Sequence, residues 1–166
     1  MINNDIYKHT SLPDFGNVLA EALTVMSRSS NKLIIILRNK TDVDIAKAIE
    51  SFSRENKIKN VNLGLQLSRY LFENDINTVN DYLSKDLNTG NTLIVNNAEI
   101  LFDSEISISP LKLFKTIARH QVLIVVIDGR IRYDGKFIYG SSSNNDYIQY
   151  EELTDTYIID LNGGLE

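Results

Sequence analysis

The chain has 166 residues, 43% of them hydrophobic and 23% charged, with only 2 Pro and 8 Gly, which fits one folded domain rather than a collagen-like, disordered or membrane-embedded class. A net charge of −5 disfavours a stand-alone domain that grips nucleic acid through its phosphates. The absence of Cys excludes disulfides, thiolate catalysis and cysteine-based zinc sites, and His9 and His120 lie too far apart in sequence to suggest a metal site or a triad.

The longest apolar runs, Leu33–Leu37 and Val122–Ile127, fall far short of the roughly 20 residues that span a bilayer. No basic stretch, apolar run and small-residue cleavage site open the chain, so a cytoplasmic location is expected. Residues 1–12 are polar and read as a flexible N-terminus, followed by a single domain over 13–166.

From Pro13 a helical period begins, with Phe15, Val18, Leu19, Ala22, Leu23 and Met26 on one face. Leu33–Leu37 is a continuous apolar run of strand length, as expected of a strand covered on both faces. After Arg38-Asn39-Lys40-Thr41 a helix starts, with Thr41 and Asp44 at capping-box spacing and Ile45, Ala46, Ile49 and Phe52 as its buried stripe. A short strand at 58–63, a helix at 65–72 and a helix capped by Thr78 with Val79, Tyr82 and Leu83 inward come next. Asn88-Thr-Gly90 then punctuates the chain before a strand at Leu93–Val95. Ser109-Pro110 is a strong helix start, with Leu111, Phe114, Ile117 and Ala118 facing inward and Lys112, Lys115 and Arg119 on the other side. Val122–Ile127 is another buried strand. Asp134-Gly135, flanked by Ile131–Tyr133 and Lys136–Tyr139, signals a hairpin; Gly140–Asn145 reads as a loop and Tyr157–Asp160 as a last strand. Strands alternating with helices predict an α/β fold: a mostly parallel, three-layer sheet with helices on both faces and a small C-terminal β-hairpin.

Two stretches resemble the halves of a P-loop NTPase site. Lys40-Thr41 sits at a strand-to-helix turn, where a helix N-terminus offers free N–H groups to phosphate. The glycines of the standard loop are missing, and a loop so short cannot wrap its backbone around a β-phosphate. Thr41 thus has two readings, a helix cap or a residual phosphate contact. The second half is Thr92–Asp103, where the strand Leu93–Val95 should end in a magnesium-binding aspartate. Asn96 stands there instead, offering a carbonyl oxygen but no charge. Glu99 is positioned either to orient a water or to begin a surface helix. Phosphoryl transfer depends on positioning and charge neutralisation, so loss of both the cradle and the carboxylate argues against efficient hydrolysis.

These residues resemble the BrxF family, the P-loop proteins of type 3 bacteriophage exclusion (BREX) systems. The most specific match is Leu93-Ile-Val-Asn-Asn-Ala-Glu-Ile-Leu-Phe-Asp103 followed by Pro110-Leu111. Val61-Asn-Leu63, Leu67-Ser-Arg69, Leu71, Gly129-Arg130, Tyr139, Tyr147 and Tyr150 extend the likeness. The resemblance implies a P-loop NTPase-like fold with degenerate Walker A and Walker B motifs. It also implies a place in a bacterial anti-phage system beside a large ATPase, a DNA methyltransferase, a helicase-like protein and a PglZ-type protein. Because Lys40, Thr41 and Glu99 are kept while the glycines and the aspartate are lost, the expected role is a non-catalytic component acting through protein–protein contacts. No cofactor is expected, although ATP with magnesium at Lys40, Thr41 and Asn96 stays an alternative.

Two other classes stay open. A partner-assisted ATPase would use Lys40, Thr41 and Glu99, with Arg130 as a sensor or finger residue. A DNA-binding adaptor would use Lys112, Lys115 and Arg119, against the simpler reading of a solvated helix face. Tyr133, Tyr139, Tyr147 and Tyr150 fit either an interface or ordinary strand packing, and an oligomer is compatible with the chain.

Overall fold

The two continuous apolar runs lie side by side in the middle of the sheet, which is why neither shows alternation. The computed structural model describes residues 6–38, 42–131, 137–139 and 155–162, and the backbone of 148–150. In chain order the elements are β1 (Ile6–His9), α1 (Phe15–Met26), β2 (Leu33–Leu37), α2 (Val43–Glu55), β3 (Lys59–Asn62), α3 (Leu63–Glu73), α4 (Val79–Asp86), β4 (Leu93–Asn96), α5 (Pro110–Ile117), β5 (Leu123–Ile127), β6 (Arg130–Ile131), β7 (Phe137–Tyr139), β8 (Ile148–Tyr150) and β9 (Thr156–Asp160). Six strands form a parallel sheet in the order β1-β9-β2-β5-β4-β3. Every residue of β2 and β5 is buried, as covered central strands of a parallel sheet require.

Side chains along β2 alternate between two cores. Ile34 and Ile36 meet α1 and α2 through Phe15, Leu19, Ile45 and Ile49. Leu33, Ile35 and Leu37 face the opposite layer, built from α3, α4, α5 and the region of Phe102 and Phe137. The division follows from crossover direction. β1-α1-β2 and β2-α2-β3 run one way across the sheet, with helices on one face. The returns from β3 to β4 and β4 to β5, and from β5 to β9, run the other way and use the opposite face. A single crossover hand demands this switch.

The predicted helices and strands fall at or within a few residues of the expected places. Ala46 is exposed, and Ala48 is the alanine of α2 that packs inward. The polar opening departs from expectation. Ile6–His9 is not a loose end but an edge strand, in register with β9 from Ile6 opposite Tyr157 to His9 opposite Asp160. Its partner lies at the far end of the chain, so no local pattern announces it. Thr10 is buried, its N–H donating to the Asp160 carbonyl at 3.0 Å, and the Tyr7 hydroxyl donates to the Asp160 carboxylate.

The C-terminal hairpin proves to be part of a three-stranded antiparallel sheet, β6-β7-β8, with Arg130 opposite Ile138 and Phe137 opposite Tyr150. Its Asp134-Gly135 turn and the loop at 140–145 lie outside the described residues. Gly129 is needed where this small sheet docks: a Cβ there would come within 2.8 Å of the Phe137 ring.

Candidate functional site

In a parallel α/β sheet the ligand crevice lies at the carboxyl ends of adjacent strands whose connections leave toward opposite faces. Here those strands are β2, which exits toward α2, and β5, which exits toward the other layer. The residue that occupies the crevice is Arg38. It is the first residue past β2, its N–H donates to the Ile127 carbonyl at 3.1 Å, and only 4% of its surface is exposed.

The guanidinium is held by the stretch after β4. That strand ends at Asn96, and Asn97 adopts a left-handed conformation (φ 54°), one that asparagine tolerates better than most residues. The chain then reverses into a 3-10 turn over Ala98–Phe102 that buries Ala98, Glu99, Leu101 and Phe102. Glu99 is thereby carried inward against β2 and β5. Its Oε1 accepts from Arg38 Nη1 at 2.8 Å and from the Asp128 backbone N–H at 2.9 Å. Arg38 Nη2 reaches Asn97 Oδ1 at 3.3 Å and Asn96 Oδ1, more weakly, at 3.5 Å. Asn96 Oδ1 also accepts the Asn97 backbone N–H at 3.0 Å.

The surface-helix reading of Glu99 therefore needs correction. Only 7% exposed, Glu99 is the acid of a buried ion pair, with Oε1 committed to Arg38 and the Asp128 N–H. Taking two charges out of water costs several kcal/mol per ion, recovered only with close geometry and further hydrogen bonds. Asp128 N–H, Asn97 and Asn96 supply those bonds, although Glu99 Oε2 has no hydrogen-bond partner among the described residues. Asn96 lies where the sequence pattern calls for a metal-binding carboxylate, and its side-chain oxygen is directed to Arg38 and to its own turn.

The helix after the crevice carries a second correction. The N-cap of α2 is Asp42, not Thr41: its Oδ1 accepts from the Asp44 N–H at 3.0 Å and the Ile45 N–H at 3.2 Å. Lys40 and Thr41 lie outside the described residues. Two of the donors that a phosphate would use at this helix start are thus taken by a carboxylate of the chain itself. Asp44 in the first turn adds a second negative charge.

A shallow cleft of about 390 Å³ opens beside the pair, lined by Gly64, Ser68, Asn97, Glu99, Asp103 and Tyr139 among others. Its two charged lining residues, Glu99 and Asp103, are acidic, which does not suit a polyphosphate. Tyr139 stacks on Phe102, ring centroids 4.5 Å apart, so this tyrosine packs within the fold. Among the described residues no cluster of three or more His, Asp or Glu is placed to hold a metal ion.

The basic candidates do not form one surface. Lys112 and Lys115 lie on α5 and Arg119 just beyond its end, leading into the amino end of β5. Arg130, half-buried, begins β6 at the opposite end of that strand. Five residues of β5 separate the two ends by about 16 Å. Lys112 borders a separate cleft of about 470 Å³ with Ser84, Ser109 and Thr116.

Arg38 is the residue of this crevice that sequence reading missed. The available signal was a charged residue directly after five apolar ones, since such a side chain at the end of a central strand must find a partner. Among the described residues, no helix is long and apolar enough to cross a membrane. Comparison of the chain with protein-family models, with curated proteins and with solved structures finds no match.

Proposed function

We propose that this chain is a non-catalytic protein of P-loop NTPase-like architecture that acts through protein–protein contacts. The observation that carries the reading is the buried Arg38–Glu99 ion pair, 2.8 Å long, at the crevice where a nucleotide hydrolase would hold phosphate and metal. A guanidinium fixed there supplies internally the positive charge that a magnesium ion would bring. It also occupies the acid that would otherwise handle the attacking water. The Asp42 cap acts in the same direction at the helix N-terminus.

The strand order β9-β2-β5-β4-β3 fits the same reading: one strand, β5, lies between the strand that leads to Lys40 and the strand that ends at Asn96, so both half-motifs open at the carboxyl end of one parallel sheet. Resemblance to the BrxF family extends the proposal to a bacterial anti-phage system of the BREX type. Its partners there would be the large ATPase, the methyltransferase and the PglZ-type protein.

The test is calorimetric titration with ATP and ADP, with and without magnesium, on the wild type and on Asn96→Asp. The expected result is no binding heat in either protein, because Arg38 and Asp42 still fill the site. ATP hydrolysis that disappears on Lys40→Ala would overturn the proposal and favour the partner-assisted ATPase. A DNA adaptor role, through Lys112, Lys115 and Arg119, has less support in a chain of net charge −5.

A further inference from the structure

Helices that cross over between parallel strands run back along the sheet, so the turns that follow them gather at the amino ends of the strands. In this chain those turns are basic. Arg28 and Lys32 precede β2, Arg54 and Lys57 precede β3, Lys59 begins β3, and Arg119 precedes β5. The opposing acids among the described residues of this end are Glu55 and Asp155, Asp86 being matched by Lys85 beside it. The carboxyl end has the reverse balance, with Asp42, Asp44, Glu99, Asp103, Asp128 and Asp160 against Arg38 and Arg130. The basic end is thus a local exception in a chain of net charge −5. Arg28, Arg54, Lys57, Lys59 and Arg119 are exposed, and among the described residues none of them forms a salt bridge.

A cleft of about 440 Å³ opens here between the starts of β3 and β4. Besides Ile58 it is lined by Asn56, Lys57, Lys59, Thr89, Asn91 and Thr92, and by no carboxylate. Lys57 holds its place at a conformational cost. Beyond the end of α2 the Ile58 N–H donates to the Ser53 carbonyl at 2.9 Å and the Lys57 N–H to the Arg54 carbonyl at 3.3 Å. In this kind of helix ending the residue at the place of Lys57 is left-handed and usually glycine. Lys57 has φ 55°, a conformation that a side chain with a Cβ resists. The pull of a helix carboxyl end on cations accounts for Arg54 in the last turn. Glycine would end the helix with less strain than Lys57, so what the position gains is the ammonium group.

We infer that this end of the sheet docks a short acidic segment of a partner protein, with one carboxylate entering the cleft between Lys57 and Lys59. The inference rests on the protein–protein reading above for the partner's being a protein; the charge balance and the cleft are separate from the Arg38 crevice. The lysines supply charge-assisted hydrogen bonds, and the neighbouring amide and hydroxyl groups suit the same oxygens. From β3 to β2 is three strand spacings, about 14 Å, which an extended segment of about four residues covers. Duplex DNA fits less well. Its charge repeats about every 1.7 Å and continues past the patch toward the acidic remainder of the molecule.

The test is fluorescence anisotropy at low salt with labelled pentaglutamate, and in parallel with a labelled DNA duplex. Pentaglutamate is expected to bind, with affinity that falls as salt is raised. Lys57→Glu with Lys59→Glu should weaken it about tenfold or more, whereas Lys47→Glu with Lys112→Glu, the same charge change at exposed positions elsewhere, should leave it nearly unchanged. Lys57→Gly separates function from folding: it should raise Tm by relieving the left-handed lysine and still weaken the peptide. All these side chains are exposed, and circular dichroism verifies that the variants keep the fold. Absence of pentaglutamate binding, equal losses in the two double variants, or a Lys57→Gly protein with unchanged affinity overturns the proposal. Tighter binding of the duplex than of pentaglutamate overturns it in favour of nucleic acid. Titration with ATP tests the crevice at the other end of the sheet, so either reading can fail alone.

Discussion

Replacing Arg38 by Met keeps much of the side chain's volume but removes the charge, and it strands Glu99 in the protein interior. Glu99 then retains only the Asp128 N–H at 2.9 Å, having lost the guanidinium at 2.8 Å. Asn96 and Asn97 lose their weaker contacts at 3.5 and 3.3 Å as well. The two side chains are 5% and 6% exposed, so solvent cannot substitute for the missing partner. Removing one member of such a pair costs about 3–5 kcal/mol. That is a large share of the roughly 5–15 kcal/mol that a domain has in total. At this chain length about 1 kcal/mol corresponds to roughly 2–4 °C, so Tm should fall by about 10 °C. Arg38→Met combined with Glu99→Leu should recover most of the loss, since an apolar pair incurs no ionic desolvation. Urea denaturation followed by circular dichroism measures both variants. A loss below about 1 kcal/mol in Arg38→Met, or a double variant no more stable than the single, would refute the idea that the crevice is held shut by this pair.

Asp42→Ala removes the cap of α2 and should cost about 1 kcal/mol in the same denaturation assay, whereas Asp42→Asn should cost much less, because an amide oxygen also caps. Alkaline pH should destabilise the joint between β1 and β9. The Tyr7 hydroxyl is raised well above its ordinary value by burial, reinforced by its hydrogen bond to Asp160 and that carboxylate's charge. The folded state therefore holds the phenol proton more tightly than the unfolded chain. Its stabilising contribution is complete below about pH 10 and is lost as pH rises above it. Tyr7→Phe should lower stability by about 1–2 kcal/mol near neutrality and flatten the decline above pH 10, both readable from unfolding curves collected across pH.

Much of the architecture was legible in the sequence because the central strands are buried on both faces. Leu33–Leu37 and Val122–Ile127 could satisfy no other environment, and the α1 and α2 stripes followed from helical periodicity. Less of the site was legible. Asn96 and the missing glycines marked what had gone, but nothing local indicated what had taken its place. Glu99 stands 61 residues from Arg38, and they meet only because β5 holds β2 and β4 one strand apart while Asn97 turns the chain back.

Amphipathic periods, turn residues and apolar runs are local properties, so the chain alone determined its alternating α/β layers and the placement of most elements. Long-range pairing decided the rest. Ile6–His9 has too few apolar residues to declare itself, and it becomes a strand because β9 presents an edge. Arg38 and Glu99 would each be costly to bury singly; the fold makes burial tolerable by delivering both to one crevice, with the Asp128 N–H to hold them. That pairing decides how the crevice reads: it opens at the carboxyl ends of a parallel sheet, and the space is filled by the chain's own charges.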